Sequence, residues 1–404
     1  MRPVTPRGFR DVLFQEAAER RAVEQAIGDA FDTWGYGLVE TPAVEEYRTL
    51  EAGAGSSLEG TAFRLFDLDG SLLALRPEMT VPIARLVATR LAGQPGPFRL
   101  RYAADVYREH ASLRGEARQF TQAGIELVGV NGPASDVEVI TLLADALTAA
   151  GLREYTIGIG TVEVFRALLD IAGGDAEWRG RVDAAVHRGD LVGLEGLTRQ
   201  AGIDPMAGEA LRVVPRIGGD DAIGRCRAVV APTGCAGSLD ALARTWELLE
   251  ATGMSARVRV DFGILRSFDY YTGLIVEAYA PGVGLPLGGG GRYDDVLAAF
   301  GAPMPAAGFA LTLERVHIAL RAQDVDVAVR GLDVVVGGDD PAEVLRAAAT
   351  LRASGLRVRI AAACAPAAIA AEAAREGASR ALIARAGVLV TLDPLGRETG
   401  EVTS

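Results

Sequence analysis

Lysine is missing from this sequence: all 41 of its basic residues are arginine. A P-loop sets a lysine amine against the phosphates, and a Schiff-base enzyme needs that amine as nucleophile, so both classes are excluded. Cysteine and histidine are scarce, three of each, at Cys226, Cys235, Cys364, His110, His187 and His317. None has metal-ligand spacing and three scattered thiols make no disulfide framework, so neither metal nor cofactor is expected. No apolar run approaches the ~20 residues that cross a bilayer, and the opening MRPVTPRGFRDVLFQEAAER carries no apolar signal core. The expectation is a cytoplasmic protein without membrane contact. Positive charge is also short, with a net charge of −12. A face that grips nucleic acid is basic, so no nucleic-acid partner is expected.

What is present suits a globular protein of two or three domains, 49% hydrophobic and 23% charged. Residues 14–34 repeat apolar side chains every three or four positions and predict an amphipathic helix broken by Gly35 and Gly37. YGLVETPAVEEY then reads as a strand ending at Pro42, and residues 61–76 as a hairpin turning at Asp69-Gly70. The segment 105–129 reads as a second hairpin, followed by a helix from about Ser135 to Ala150. Residues 151–254 change texture and read as an inserted, mostly helical piece. Strand pattern returns at Ala256, and the glycine run 288–291 is expected to lead into a helix. From about residue 332 strand, helix, strand, helix and strand follow, a small α/β domain with nine acidic and eight arginine residues. The tail GRETGEVTS reads as loose.

The arm RQFTQAGIELVGV alternates, so Phe120, Gln122, Gly124 and Glu126 share one face of a strand. As ordinary structure this is a solvated face. As a site, it offers an amide and a carboxylate to something polar, with Gly124 clearing room between them. In RPEMT, Glu78 or Thr80 serves as a helix cap, or the two together as acceptors for a bound ammonium. In LRSFDYYTG, Tyr270 and Tyr271 are core aromatics beside a surface arginine, or Arg266 is a fork for a carboxylate and a tyrosine hydroxyl meets a ring nitrogen. The run 288–291 lacks both the lysine and the spacing of a phosphate cradle, and suits close approach of backbone to a ligand.

In order along the chain, TPRGFRDVL, YGLVETPAVE, RPEMT, the hairpin 105–129, RSFDYYTGLIVEAY, GGRYDDVLAAFG and GFALTLER resemble the histidyl-tRNA synthetase group of class II synthetases. The resemblance covers about 320 residues. It implies an α+β fold: a class II aminoacyl-tRNA synthetase-like antiparallel sheet flanked by helices, with the helical insertion and the small C-terminal α/β domain. The core spans 1–325 and the C-terminal domain 332–404. It also implies a pocket for free L-histidine. The ammonium lies against Glu78, Thr80 and Gln122, the imidazole against Glu126 and Tyr271, and the carboxylate against Arg266, with Arg108 and Tyr270 completing the set. A site with so many directional partners rejects an isostere lacking one nitrogen by roughly 10⁴.

The same resemblance implies a damaged ATP site. Arg108 is followed by Glu109 and His110, so histidine stands where the second motif has glutamate, although a slip of one residue would put Glu109 there. Glu116 stands where the loop carries an arginine near the phosphates, and a carboxylate there repels them. Thr312 replaces a glycine near the adenine. The C-terminal domain lacks the charge of an RNA reader. A kept histidine pocket beside a spoiled ATP grip resembles the regulatory subunits of ATP phosphoribosyltransferase. The ELVG run and AVHRGDLVGLEGL resemble them too. That resemblance implies a non-catalytic chain in histidine biosynthesis that conveys histidine feedback, partnered by the short-form ATP phosphoribosyltransferase catalytic subunit. Class II cores pair through the first motif, which implies a homodimer within a hetero-oligomer. The alternative is an active histidine–tRNA ligase.

Overall fold

The computed structural model of the protein describes residues 4–54, 58, 60–109, 117–264 and 271–402. The chain forms two units, Met1–Val327 and Ala328–Ser404.

In the first unit, the apolar spacing becomes helix α1 (Phe14–Thr33), with Val23, Ile27 and Phe31 buried. It ends where Gly35 takes φ +77. There the N–H groups of Gly35 and Tyr36 turn back to the carbonyls of Asp32 and Phe31, a left-handed closure that satisfies two free acceptors of the helix. Strand β1 (Gly37–Leu38) holds only two residues, and β2 (Val44–Glu46) belongs to another sheet. Between them lies Pro42, which has no N–H for a ladder. Helix α2 (Tyr47–Ala54) follows. Strands β3 (Arg64–Phe66) and β4 (Leu72–Leu75) pair antiparallel around Gly70 at φ +87, and β2 completes a three-stranded sheet.

Helix α3 (Thr80–Arg90) precedes the long hairpin of β5 (Phe98–Tyr107) and β6 (Gln119–Val128). Helix α4 (Pro133–Ala149) follows, and then β7 (Thr156–Thr161). The insertion is built from α5 (Glu163–Ala172), α6 (Ala176–His187), α7 (Leu191–Thr198), α8 (Pro205–Val213), α9 (Ala222–Val230) and α10 (Asp240–Ala251). Asp175, Asp190 and Asp204 cap α6, α7 and α8 through their carboxylates. Strands β8 (Val258–Val260), β9 (Leu274–Tyr279), β10 (Gly288–Arg292) and β11 (Ala306–Thr312) precede helix α11 (Leu313–Ala322).

Among the described residues the main sheet runs β1-β5-β6-β11-β10-β9-β7-β8. Two expectations change here. Strand β7, counted with the insertion, pairs with β9 and belongs to the core sheet. The glycine run is itself an interior strand, β10, flanked by β9 and β11, and only a short 3-10 turn follows it at Leu297–Phe300. The odd-numbered residues of β6, Ala123, Ile125 and Leu127, bury against α1 and α4, with Phe31 and Phe309 edge to face at 5.8 Å. The even-numbered face looks toward α3, where Phe120 and Val128 pack with Tyr102, Met79, Ile83 and Val87. Among the described residues no helix is long and apolar enough to cross a membrane.

The second unit alternates β12 (Val334–Gly337), α12 (Pro341–Ala353), β13 (Val358–Ile360), α13 (Pro366–Arg375) and β14 (Arg380–Arg385), followed by β15 (Val388–Leu392) and β16 (Glu398–Val402). The sheet order is β13-β12-β14-β15-β16. Val344, Ala348 and Leu351 of α12 cover one face, and Ile369, Ala370 and Ala373 of α13 the other. The alanine-rich helix α13 is therefore buried along one side. The tail is not loose through Val402. Asp393 accepts the N–H groups of Leu395 and Arg397 at 2.9 and 2.8 Å and turns the chain back, so that β16 pairs antiparallel with β15.

Candidate ligand-binding site

The register of the sheet assembles a floor almost without side chains. Glu126 pairs with Leu100 on β5 and Gly308 on β11, and Gly308 with Gly291 on β10. One step along, Gly124 lies between Tyr102 and Ala310, and Ala310 opposite Gly289. Directly paired residues point to the same face, so Gly124, Gly308, Gly289, Gly291 and Ala310 surround Glu126 with open backbone. The glycines are required: a Cβ on Gly308 would come within 2.1 Å of the Glu126 Oε2, and one on Gly124 within 2.5 Å of the Tyr102 hydroxyl. The Tyr271 ring lies across Gly291, 3.0 Å from where a Cβ would stand.

Around this floor the polar groups converge. Glu126 is 1% exposed. Its Oε1 accepts the Thr80 hydroxyl at 2.8 Å, its Oε2 accepts the Tyr293 hydroxyl, and the Tyr102 hydroxyl also bonds to the carboxylate. Burial pushes its pKa up to about 8, against the pull of Tyr293 and Thr80 and with a further push from the Glu78 charge. Glu78 sits at the start of α3 and accepts the N–H groups of Thr80 at 2.6 Å and Val81 at 3.0 Å. It thus fills the ordinary capping role, and each oxygen keeps a further lone pair. Burial raises its pKa too, while those backbone bonds and the charge of Arg108 lower it. Arg108 donates from Nε to the Pro77 carbonyl at 2.8 Å and lies over the Phe120 ring at 5.2 Å. Burial weakens its hold on a proton, and the nearby Glu78 strengthens it.

Gln122, 7% exposed, is the exception to this saturation. Its buried side-chain oxygen has no hydrogen-bond partner among the described residues. An unmet buried acceptor costs roughly 1–3 kcal/mol, and a ligand N–H would remove that cost. Burial raises the Tyr271 phenol, with Glu126 the next contributor. Among the described residues the Arg108 guanidinium acts on Glu78, while Glu126 is met by hydroxyls. A ligand fitting this balance brings N–H donors or a positive charge to Glu126 and Gln122.

Six of the eight residues expected from the sequence, Glu78, Thr80, Arg108, Gln122, Glu126 and Tyr271, are thus placed on or beside one sheet face. Arg266 and Tyr270 lie outside the described residues, as do His110 and Glu116. Sequence reasoning missed Tyr102 and Tyr293. Tyr102 is opposite Gly124 once the hairpin closes, a signal that pairing the two arms would have revealed. Tyr293 directly follows the run that became β10. Thr312, 8% exposed, pairs with Gln122 and so stands on the same face at the far end of the floor.

The model of the family described as Histidyl-tRNA synthetase matches residues 8–316. An ATP phosphoribosyltransferase regulatory subunit from Moorella thermoacetica is 42% identical over 87% of this chain and 90% of that protein. One from Rubrobacter xylanophilus is 39% identical over 88% of this chain and 84% of its own. A solved Bacillus halodurans structure described as an ATP phosphoribosyltransferase regulatory subunit/histidyl-tRNA synthetase superposes with a TM-score of 0.78 at 30% identity, covering 88% of this chain and 92% of that one. A histidyl-tRNA synthetase from a Nostoc species has a TM-score of 0.79 at 21% identity, covering 100% and 97%, which speaks to fold alone. The sheet, its glycine floor and these relatives together mean that the chain belongs to the ATP phosphoribosyltransferase regulatory subunit family, built on the class II histidyl-tRNA synthetase fold.

Proposed function

We propose that this chain is the cytoplasmic, non-catalytic regulatory subunit of ATP phosphoribosyltransferase, and that it binds free L-histidine on the glycine floor and conveys feedback to a short-form catalytic partner. The observation that carries the ligand is the juxtaposition of Glu126, a buried carboxylate whose described partners are hydroxyls, with Gln122, whose buried oxygen is unmet among the described residues. Histidine supplies both complements at once, an imidazole N–H for Glu126 and an ammonium N–H for Gln122. Glu78, Thr80, Arg108 and Tyr271, with Arg266 and Tyr270, complete the proposed set.

Two observations favour regulation over ligation. Thr312 puts a β-branched side chain beside Gln122, where adenine would need space. Glu109, the residue that a one-place slip would supply to ATP, is engaged with Arg118 at 2.9 Å. Histidine regulates only by contacting two arrangements of the complex differently, and such coupling is typically about 1–3 kcal/mol. A homodimer paired through the first motif is the proposed unit within the hetero-oligomer.

The test is a pair of titrations on the purified chain, with histidine and with ATP, joined to an assay of histidine-dependent pyrophosphate exchange and to co-purification with the catalytic subunit. Histidine binding, silence in exchange and association with the phosphoribosyltransferase are expected. Exchange at a synthetase-like rate would instead make the chain an active histidine–tRNA ligase.

A further inference from the structure

On the face of the sheet opposite Glu126 lies a second buried cluster, centred on Arg292. This last residue of β10 is 6% exposed. Its Nε and Nη2 both donate to Asp136 Oδ1 at the start of α4, at 3.1 and 2.6 Å. Nη2 also reaches the Ser135 hydroxyl at 2.7 Å, and Nη1 the Val130 carbonyl and Asp294 at 3.4 and 3.3 Å. The guanidinium fork thereby joins three pieces of chain: the end of β10, the exit of β6 and the first turn of α4. A cavity of about 140 Å³ opens beside it, bordered by Glu163 of α5 and Thr245 of α10.

The same residue also grips the pocket side through its neighbours. The Arg292 carbonyl accepts the N–H of Thr272 at 2.7 Å, and the Thr272 hydroxyl accepts the Asp294 N–H at 3.0 Å. Thr272 adjoins Tyr271, whose ring covers the floor. Tyr293, next after Arg292, turns to the other face and donates its hydroxyl to Glu126. Side chains alternate across a strand, so pinning Arg292 on one face fixes the direction of Tyr293 on the other. We infer that Arg292 is a positioning residue for the pocket: its buried fork to Asp136 holds Tyr293 on Glu126 and Tyr271 over the floor, although it touches no ligand itself.

The ligand part of this inference rests on the histidine reading; the positioning part does not. Two variants test it. Arg292→Lys keeps a charge opposite Asp136 but loses the fork. The paired change Arg292→Gln with Asp136→Asn removes both buried charges, and Asp294, the other carboxylate at the guanidinium, keeps the Ala306 N–H at 3.0 Å. Each is made in the native background and in Tyr293→Phe, and histidine affinity is measured by calorimetry. The Glu126 carboxyl is followed in parallel by carbon NMR on glutamate-labelled protein without ligand, its signal identified by Glu126→Gln. In the native background the paired variant is expected to weaken histidine binding about tenfold and to raise the Glu126 titration, as Tyr293→Phe alone should. In the Tyr293→Phe background the further loss should be under about twofold. Equal losses in both backgrounds, or an unmoved Glu126 titration in folded protein, overturn the inference. If the native chain does not bind histidine but its Glu126 titration still follows Arg292, the histidine reading fails and the positioning role stands.

Discussion

Buried charge is treated in opposite ways at the Glu126 pocket and in the C-terminal unit. In that unit Glu372, 9% exposed, accepts the Ala362 N–H at its Oε2, 2.9 Å away, while pairs such as Arg330–Asp333 and Arg385–Glu398 stay near solvent. In the pocket, among the described residues, Glu126 meets hydroxyls, Gln122 keeps a bare oxygen, and glycine after glycine leaves the floor uncovered. Folding alone would have selected a small apolar residue in place of Glu126. The contrast separates a unit completed by its own residues from a surface whose electrostatics we propose a ligand completes.

The largest effect that would break this comparison comes from Glu126→Ala. It removes a charge-assisted hydrogen bond to the ring, about 3 kcal/mol or roughly a hundredfold in histidine affinity by calorimetry, and leaves the chain folded. Unchanged affinity would mean that the pocket is somewhere else. Without ligand the sign reverses. A carboxyl raised from about 4.5 to about 8 stabilises the fold fully below the lower value and loses that contribution as pH rises through the upper one. Relative to Glu126→Gln, the free native chain should therefore lose on the order of a few kcal/mol between pH 4.5 and 8, read from denaturant midpoints.

The next effect is the pH profile of binding. The complex holds one proton between the imidazole and Glu126. Below about pH 6.5 free histidine carries its own ring proton while Glu126 still holds one, so binding must release a proton. Above about pH 8 neither carries one, so binding must take one up. Affinity should peak between these values and fall roughly tenfold per pH unit on each side. Calorimetry in buffers of different ionisation enthalpy should find no net proton exchange near pH 7. A profile that is flat below about pH 6.5 and falls above it would mean that Glu126 is already ionised and paired, and the contrast with the C-terminal unit would disappear.

Gln122→Leu follows, with an expected loss of about fivefold in histidine affinity. The free chain should become no less stable, because an unmet acceptor is exchanged for apolar volume. A large loss of stability would reveal a partner for that oxygen and place Gln122 among the ordinary core residues.

The legible parts of this site were those with a local period. The alternation of Phe120, Gln122, Gly124 and Glu126 is visible in the sequence because a strand has period two, and the structure keeps those four on one face. The run 288–291 was not legible as a strand, since glycine has no side chain to alternate. Its place between β9 and β11 is set by pairing with residues distant in sequence. The same reason hid Tyr102 and Tyr293, which look like ordinary core aromatics until hairpin closure and β10 bring them to Glu126. In β16 too, strand identity comes from β15 and the Asp393 turn rather than from its polar residues. Glu78 shows a further limit: one spacing fits both a helix cap and a ligand contact, and the capping bonds are compatible with either.

The smallest effect concerns the completed side of the comparison. Glu372→Ala leaves the Ala362 N–H without its acceptor and should cost the C-terminal unit about 1 kcal/mol, seen as a small drop in its denaturant midpoint. Histidine affinity should not change, since nothing in the pocket depends on that bond. If affinity moved by more than about twofold, the two units would be energetically coupled. The pocket's unmet acceptor and raised carboxyl would then belong to a chain-wide equilibrium, and stability measured in one unit would report on ligand binding in the other.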